Sequence, residues 1–156
     1  MSRMIKVQTS YFYQIRNFTP NMVPLSTAAW DPKWYYKGKQ GIPYIDKRGI
    51  INGLRAEPFV PRTDLECECP TCDHSHSDIC AFLRQYYLQL AELDPANIMA
   101  RIRRIVEYHL SKYPAEGIPT AVLIFHEAPD NPCSERWMVQ KWFSTFGLFL
   151  TEFKLG

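Results

Sequence analysis

The sequence predicts one α/β domain spanning residues 1–156, built on a mixed, mostly parallel sheet of about four strands flanked by helices, with a zinc-stabilised loop. Three observations carry that expectation. β-type runs and helical patterns follow in the order β, β, helices, β, α, β, which requires crossovers back to a shared sheet, and these are expected to be right-handed. The segment "TAVLIFH" is a nearly unbroken apolar run, as suits a strand buried on both faces. A chain of 156 residues is also long enough to bury a single sizeable core.

The elements follow in chain order. "MIKVQTS" and "NMVPLST" are short β-type runs, each ending in two hydroxyl residues, and "YFYQIRNF" between them has room only for a short helix or turn. Residues 28–65 carry Gly38, Gly41, Gly49 and Gly53 together with Pro32, Pro43, Pro58 and Pro61 and show no sustained period, so a long functional loop with room for a short helix is expected there. From Asp78, the residues Ile79, Phe82, Leu83, Tyr86, Leu90 and Leu93 recur at helical spacing. A second helix restarts with Asp94 as N-cap and Pro95 at its first position, burying Ile98, Ile102, Ile105 and His109 and showing Arg101 and Arg104 on its other face. "SERWMVQKWFSTF" reads as a helix closed by Gly147, and "LFLTEFKL" as a final strand.

Four of the five cysteines and two of the four histidines fall within residues 67–80, an insert predicted to bind a structural Zn²⁺. The turn Cys69-Pro70-Thr71-Cys72 brings two sulfurs to one metal with backbone N–H groups aimed at them. Cys80 sits at the start of a helix, where the dipole favours thiolate. The fourth ligand is open among Cys67, His74 and His76. More than four ligands and no H-x-E or H-E-x-x-H pattern point to a closed site and not to a catalytic one, although Glu66 and Glu68 lie nearby.

Open α/β sheets bind ligands beyond the carboxyl ends of parallel strands. With the first three long strands parallel, Thr9-Ser10-Tyr11, Ser26-Thr27 and His126-Glu127 converge at that edge, and Cys133, Ser134 and Arg136 open the next helix beside it. Each member also has a plainer reading: hydroxyls cap turns, His126 is a hydrogen-bonded core histidine, Cys133 a small buried hydrophobe.

Five segments, "VQTSYF", "VPLST", "DPKWY", "LDP" and "AVLIFHEAPDNPCSERWMVQKW", resemble in order and spacing the domain-of-unknown-function family 488, over nearly the whole chain. The closing block is the most specific, with Glu127, Cys133, Val139 and Trp142 matching. This chain departs from the family pattern in having Ser134 in place of a histidine, Phe125-His126 in place of Cys-Tyr, and one extra residue between Cys133 and Trp142, which bears on the alignment of Arg136. The cysteine-rich insert resembles one present in some branches. That family has no settled activity, so the resemblance implies a fold and a site position. Its phage and mobile-element members imply a link to nucleotides or nucleic acid.

Charge and aromatic content bound the function classes. The net charge of +2 is weak support for a polyanion partner, yet residues 31–62 carry seven Lys or Arg against three acids, interleaved with Trp30, Trp34, Tyr35, Tyr36, Tyr44 and Phe59. The first expectation is therefore a binder of, or enzyme on, a nucleotide or nucleic-acid base. Trp34, Tyr35, Thr9, Ser10, Tyr11, Ser26 and His126 would contact the ligand, Glu127 would act as acid or base, Cys133 as nucleophile or polar contact, and Arg136 as anion clamp. The second is a zinc-stabilised module, such as a phage-encoded modulator of a host protein, adhering through Trp30, Trp34 and Tyr35. Nonspecific DNA binding by Arg101, Arg103 and Arg104 ranks last. Apolar runs are too short to span a bilayer and no apolar signal core opens the chain, so a cytoplasmic protein with reduced thiols and no membrane partner is expected.

Overall fold

The computed structural model describes residues 4–62, 81–131 and 134–155. Its centre is a four-stranded sheet in which every pairing is parallel: β1 (Lys6–Tyr11), β2 (Met22–Ser26), β5 (Thr120–Phe125) and β6 (Thr151–Glu152), in the order β2-β5-β1-β6. The expected α/β architecture is thus present. All six residues of β5 are buried, as its apolar run requires. Pro24, which has no N–H to give to a ladder, lies in β2 at the edge of the sheet.

The period of two along β5 divides the core. Ala121, Leu123 and Phe125 face a layer of three helices, α1 (Ala81–Ala91), α2 (Pro95–Lys112) and α3 (Arg136–Ser144), and pack with Tyr86, Leu90, Ile98, Ile102, Val106, Val139, Trp142 and Phe143. Val122 and Ile124 face the other way, onto Phe12, Ile15, Phe18, Tyr35 and Ile50. Among the described residues, this second layer contains no long helix. It is made from the 3-10 turn Phe12–Asn17 and part of the 28–65 segment, so that segment is a core layer and more than a functional loop.

Within it, β3 (Tyr44–Ile45) and β4 (Ile51–Asn52) form a small antiparallel hairpin that the sequence pattern does not reveal. Asp46 holds the turn by accepting from the backbone N–H groups of Arg48 and Ile50 at 2.9 and 3.1 Å. Gly53 follows with φ +102°, and a Cβ there would meet the Cα of Pro43 at 2.7 Å, so glycine alone lets the two arms approach this closely.

Asp94 and Pro95 open α2 as expected, and Ile98, Ile102 and His109 are buried, while Val106 takes the core position foreseen for Ile105, which is half-buried. Gly147, at φ +85°, terminates α3 in the left-handed region, and the Leu148 N–H donates back to the Phe143 carbonyl at 3.1 Å. No described helix is long and apolar enough to cross a membrane.

Candidate functional site

Parallel pairing brings the carboxyl ends of β1, β2 and β5 to one edge. Ser10 and Ser26 are both in register with Ile124, and Tyr11 is in register with Phe125, so the three polar clusters seen in the sequence do meet. What they do there differs from what was expected. Thr9, Ser10 and Ser26 are completely buried. Thr9 Oγ1 donates to Glu152 Oε1 at 2.7 Å, Ser10 Oγ to the Phe153 carbonyl at 2.7 Å, and Thr27 Oγ1 to the Ile124 carbonyl at 2.8 Å, while Ser26 Oγ donates to Asp31. These hydroxyls join strand ends to their neighbours and present no hydrogen to a ligand. The plainer reading of them is the correct one.

Arg136 is corrected in the same way. Its side chain is fully buried between the faces of Phe125 and Tyr11, 5.4 and 5.9 Å from the ring centroids. Nε donates to Glu152 Oε1 at 2.9 Å and Nη2 to Glu152 Oε2 at 3.2 Å. Nη1 donates to the Glu127 carbonyl at 2.6 Å and to Ser134 Oγ at 3.1 Å, and Nη2 also donates to the Ser10 carbonyl at 3.1 Å. A guanidinium has five donors and all five are engaged, so Arg136 ties β1, β6 and the loop after β5 together and has none left to clamp an anion. Tyr35, foreseen as a ligand contact, is fully buried in the core with its hydroxyl donating to the Leu54 carbonyl at 2.7 Å. Tyr11 is half-buried, its hydroxyl accepting from Gln14 Nε2 at 3.1 Å.

What remains open at this edge is a cavity of about 320 Å³. Thr27, Trp30 and His126 form part of its wall, with Phe82 and Phe125 as apolar surface and Glu127, Glu135 and Arg62 as its charged groups. Trp30 is 64% exposed and its ring lies 4.4 Å from that of His126, which in turn is 5.2 Å from Phe12, and Phe12 is 6.1 Å from the half-exposed Trp34. An aromatic cluster therefore continues outward from the cavity. His126 Nε2 lies 2.8 Å from the Trp30 carbonyl, which can only accept, so Nε2 carries a proton and donates there.

The chemically distinctive pair is Glu127 and Glu135, whose carboxyl groups lie within hydrogen-bonding reach. Burial, reinforced by the charge of Glu127, pushes the Glu135 carboxyl up to about 8. Glu127 Oε1 is buried with no donor facing it among the described residues. A protonated Glu135 would supply that donor. With the Glu135 carboxyl holding its proton, the cavity offers one O–H donor and several acceptors at one spot.

A further charged cluster flanks the cavity. Arg55 donates from Nη1 to Asp31 Oδ1 at 2.8 Å, from Nε to Glu57 Oε1 at 2.6 Å, and from Nη2 to the Ala28 carbonyl at 2.7 Å, fixing the backbone that leads into Trp30. Glu135, Glu152, Asp31 and Arg55 were not singled out in the sequence. Glu135 is the N-cap residue of α3 and offered only the ordinary signal of an acid at a helix N-terminus.

The expected metal ligands Cys67, Cys69, Cys72, His74, His76 and Cys80, and the expected nucleophile Cys133, lie outside the described residues. Among the described residues, no three His, Cys, Asp or Glu side chains are grouped to hold a metal ion. Arg62 and Phe82, which stand on either side of the 63–80 segment, both line the cavity. No family model, no curated protein and no solved structure matches the chain.

Proposed function

We propose that the protein binds a heteroaromatic base, of a nucleotide or of single-stranded nucleic acid, in the sheet-edge cavity. The observation that carries this reading is the Glu127–Glu135 carboxyl pair beside the exposed Trp30. A protonated Glu135 beside the oxygens of Glu127 matches the adjacent donors and acceptors on the edge of a base, and an indole face supplies stacking. Lys33, Lys37 and Lys39, all exposed on the segment that continues from Trp30, supply positive charge for phosphate.

Titration with a panel of nucleotides and short oligonucleotides, followed by tryptophan fluorescence, is expected to show saturable quenching. Trp30→Ala should weaken binding by about 5- to 150-fold, the equivalent of the roughly 1–3 kcal/mol that stacking one base on an aromatic ring contributes. Glu127→Gln should alter which base is preferred. If nothing in the panel binds, the reading fails. The exposed Trp30 and Trp34 also favour a second reading, adhesion to another protein. A stoichiometric partner lost on Trp34→Ala but retained by Glu127→Gln would establish that reading in place of the first.

The reading includes a structural Zn²⁺ on the 67–80 insert, held by Cys69, Cys72 and Cys80 with Cys67, His74 or His76 as the fourth ligand. Elemental analysis of purified protein is expected to give about one zinc per chain, and chelation to lower the thermal midpoint. A folded, metal-free preparation of unchanged stability would remove zinc from the account.

A further inference from the structure

A larger cleft, of about 550 Å³, separates the β3–β4 hairpin from α2. That volume falls in the range of small-molecule sites, about 300–1,000 Å³. Its walls are apolar: Pro43, Tyr44, Ile45 and Ile51 come from the hairpin side and Ile105 and Tyr108 from the helix. The hairpin and α2 thus leave between them apolar surface that no described side chain covers.

Polar groups occur at only a few points, and their signs agree. Arg104 and Lys112 line the cleft and no acidic side chain does. Lys112 packs its Nζ 4.5 Å from the centroid of the Tyr108 ring, whereas Arg104 has no hydrogen bond or ion pair with any described residue. Arg104, Tyr108 and Lys112 recur at i, i+4 and i+8, so they form one stripe along α2. His109, also in the wall, is only 4% exposed, and its Nε2 is buried with no partner among the described residues.

We propose that this cleft is a binding site for an apolar monocarboxylate, whose hydrocarbon or aryl body lies between the hairpin and α2 and whose carboxylate is met by the Arg104 guanidinium. The shape of the cleft selects the body. Arg104, unpaired among the described residues, with Lys112 on the same stripe and no acid in the wall, selects an anionic head group over a neutral or cationic one. This inference is independent of the sheet-edge cavity, with which the cleft shares no lining residue.

The test is a titration of the full chain with decanoate, decanol and decyltrimethylammonium, each below its micellar concentration, followed by amide NMR shifts. Decanoate is expected to saturate with shifts concentrated in residues 43–54 and 104–113. It should bind at least about 10-fold more tightly than decanol, the equivalent of the roughly 1.5–3 kcal/mol of a charge-assisted hydrogen bond, and the ammonium should not saturate. Arg104→Glu, a change at an exposed position, should remove the preference for decanoate over decanol, and Ile105→Trp should block both by filling the cleft. Equal binding of decanoate and decanol, a preference that survives Arg104→Glu, or no saturable shifts in these residues would each overturn the proposal.

Discussion

Arg136→Ala is expected to cost about 3–5 kcal/mol of stability, the range found when one partner of a buried ion pair is removed. Against a total folding free energy of about 5–15 kcal/mol, that is a large fraction. The loss has identifiable parts. Glu152 loses its bidentate partner, and the carbonyls of Glu127 and Ser10, which accept from Arg136 at 2.6 and 3.1 Å, lose a donor in the interior. The damage should reach across the edge, since the same guanidinium joins β1, the loop after β5 and β6. At about 2–4 °C per kcal/mol for a chain of this size, the thermal midpoint should fall by about 6–20 °C. Arg136→Lys is a sharper probe: it keeps the charge but has no planar fork to reach four acceptor groups at once, so it should recover less than half of the loss. Chemical denaturation of both variants checks the account. An alanine variant within 1 kcal/mol of the parent would show that Arg136 does not organise this edge.

How such a residue came to look like a ligand clamp in the sequence is instructive. A cation in the first turn of a helix following a central strand reads as anion-binding, because the topology puts it at the site and nothing local tells which way it points. Its partner Glu152 lies 16 residues further on, in a two-residue strand too short to show alternation. The other anchor, Ser10, is 126 residues away in sequence. Such pairings depend on tertiary geometry alone.

Legibility elsewhere follows the same physics. β5 was visible because a strand buried on both faces must be apolar throughout, and α2 because Asp94-Pro95 marks a start and Ile98, Ile102 and His109 keep the helical period. That the three polar strand ends meet at one edge was legible too, since parallel strands necessarily gather their carboxyl ends. The 28–65 segment was not. Its buried residues Tyr35, Ile50 and Phe59 sit in 3-10 turns and beside a two-residue hairpin, elements too short to impose any period. Hydroxyls at strand ends misled for a related reason: the same serine serves a ligand or a neighbouring strand, and only burial separates the two.

That separation leaves Glu127 and Glu135 as the polar heart of the cavity, and Glu135→Gln is expected to stabilise the protein increasingly as pH rises. The native Glu135 carboxyl titrates at about 8, against 4.5 for the same group without these surroundings. Between those two values the native state holds a proton that the unfolded chain has released. Stability is therefore highest below about pH 4.5 and falls as pH rises toward about 8, where the native group also ionises and the effect levels off. At about 1.4 kcal/mol per pH unit, that window sets a ceiling of roughly 5 kcal/mol. Glutamine keeps the shape and a donor but has no proton to lose. Urea denaturation at pH 5, 6.5 and 8 should show the variant gaining at least about 1 kcal/mol over the parent across the series, a modest share of the ceiling set by linkage. Glu127→Gln should give a similar trend, because removing its charge removes the second cause of the Glu135 shift. The double variant should gain less than the sum, as expected of groups in direct contact. A gain for Glu135→Gln that is the same at pH 5 and pH 8 would mean that no proton is shared in the cavity. A gain that grows with pH would mean the protein keeps a destabilising pair of acids at the carboxyl ends of its strands, the kind of local cost that binding sites retain for their chemistry.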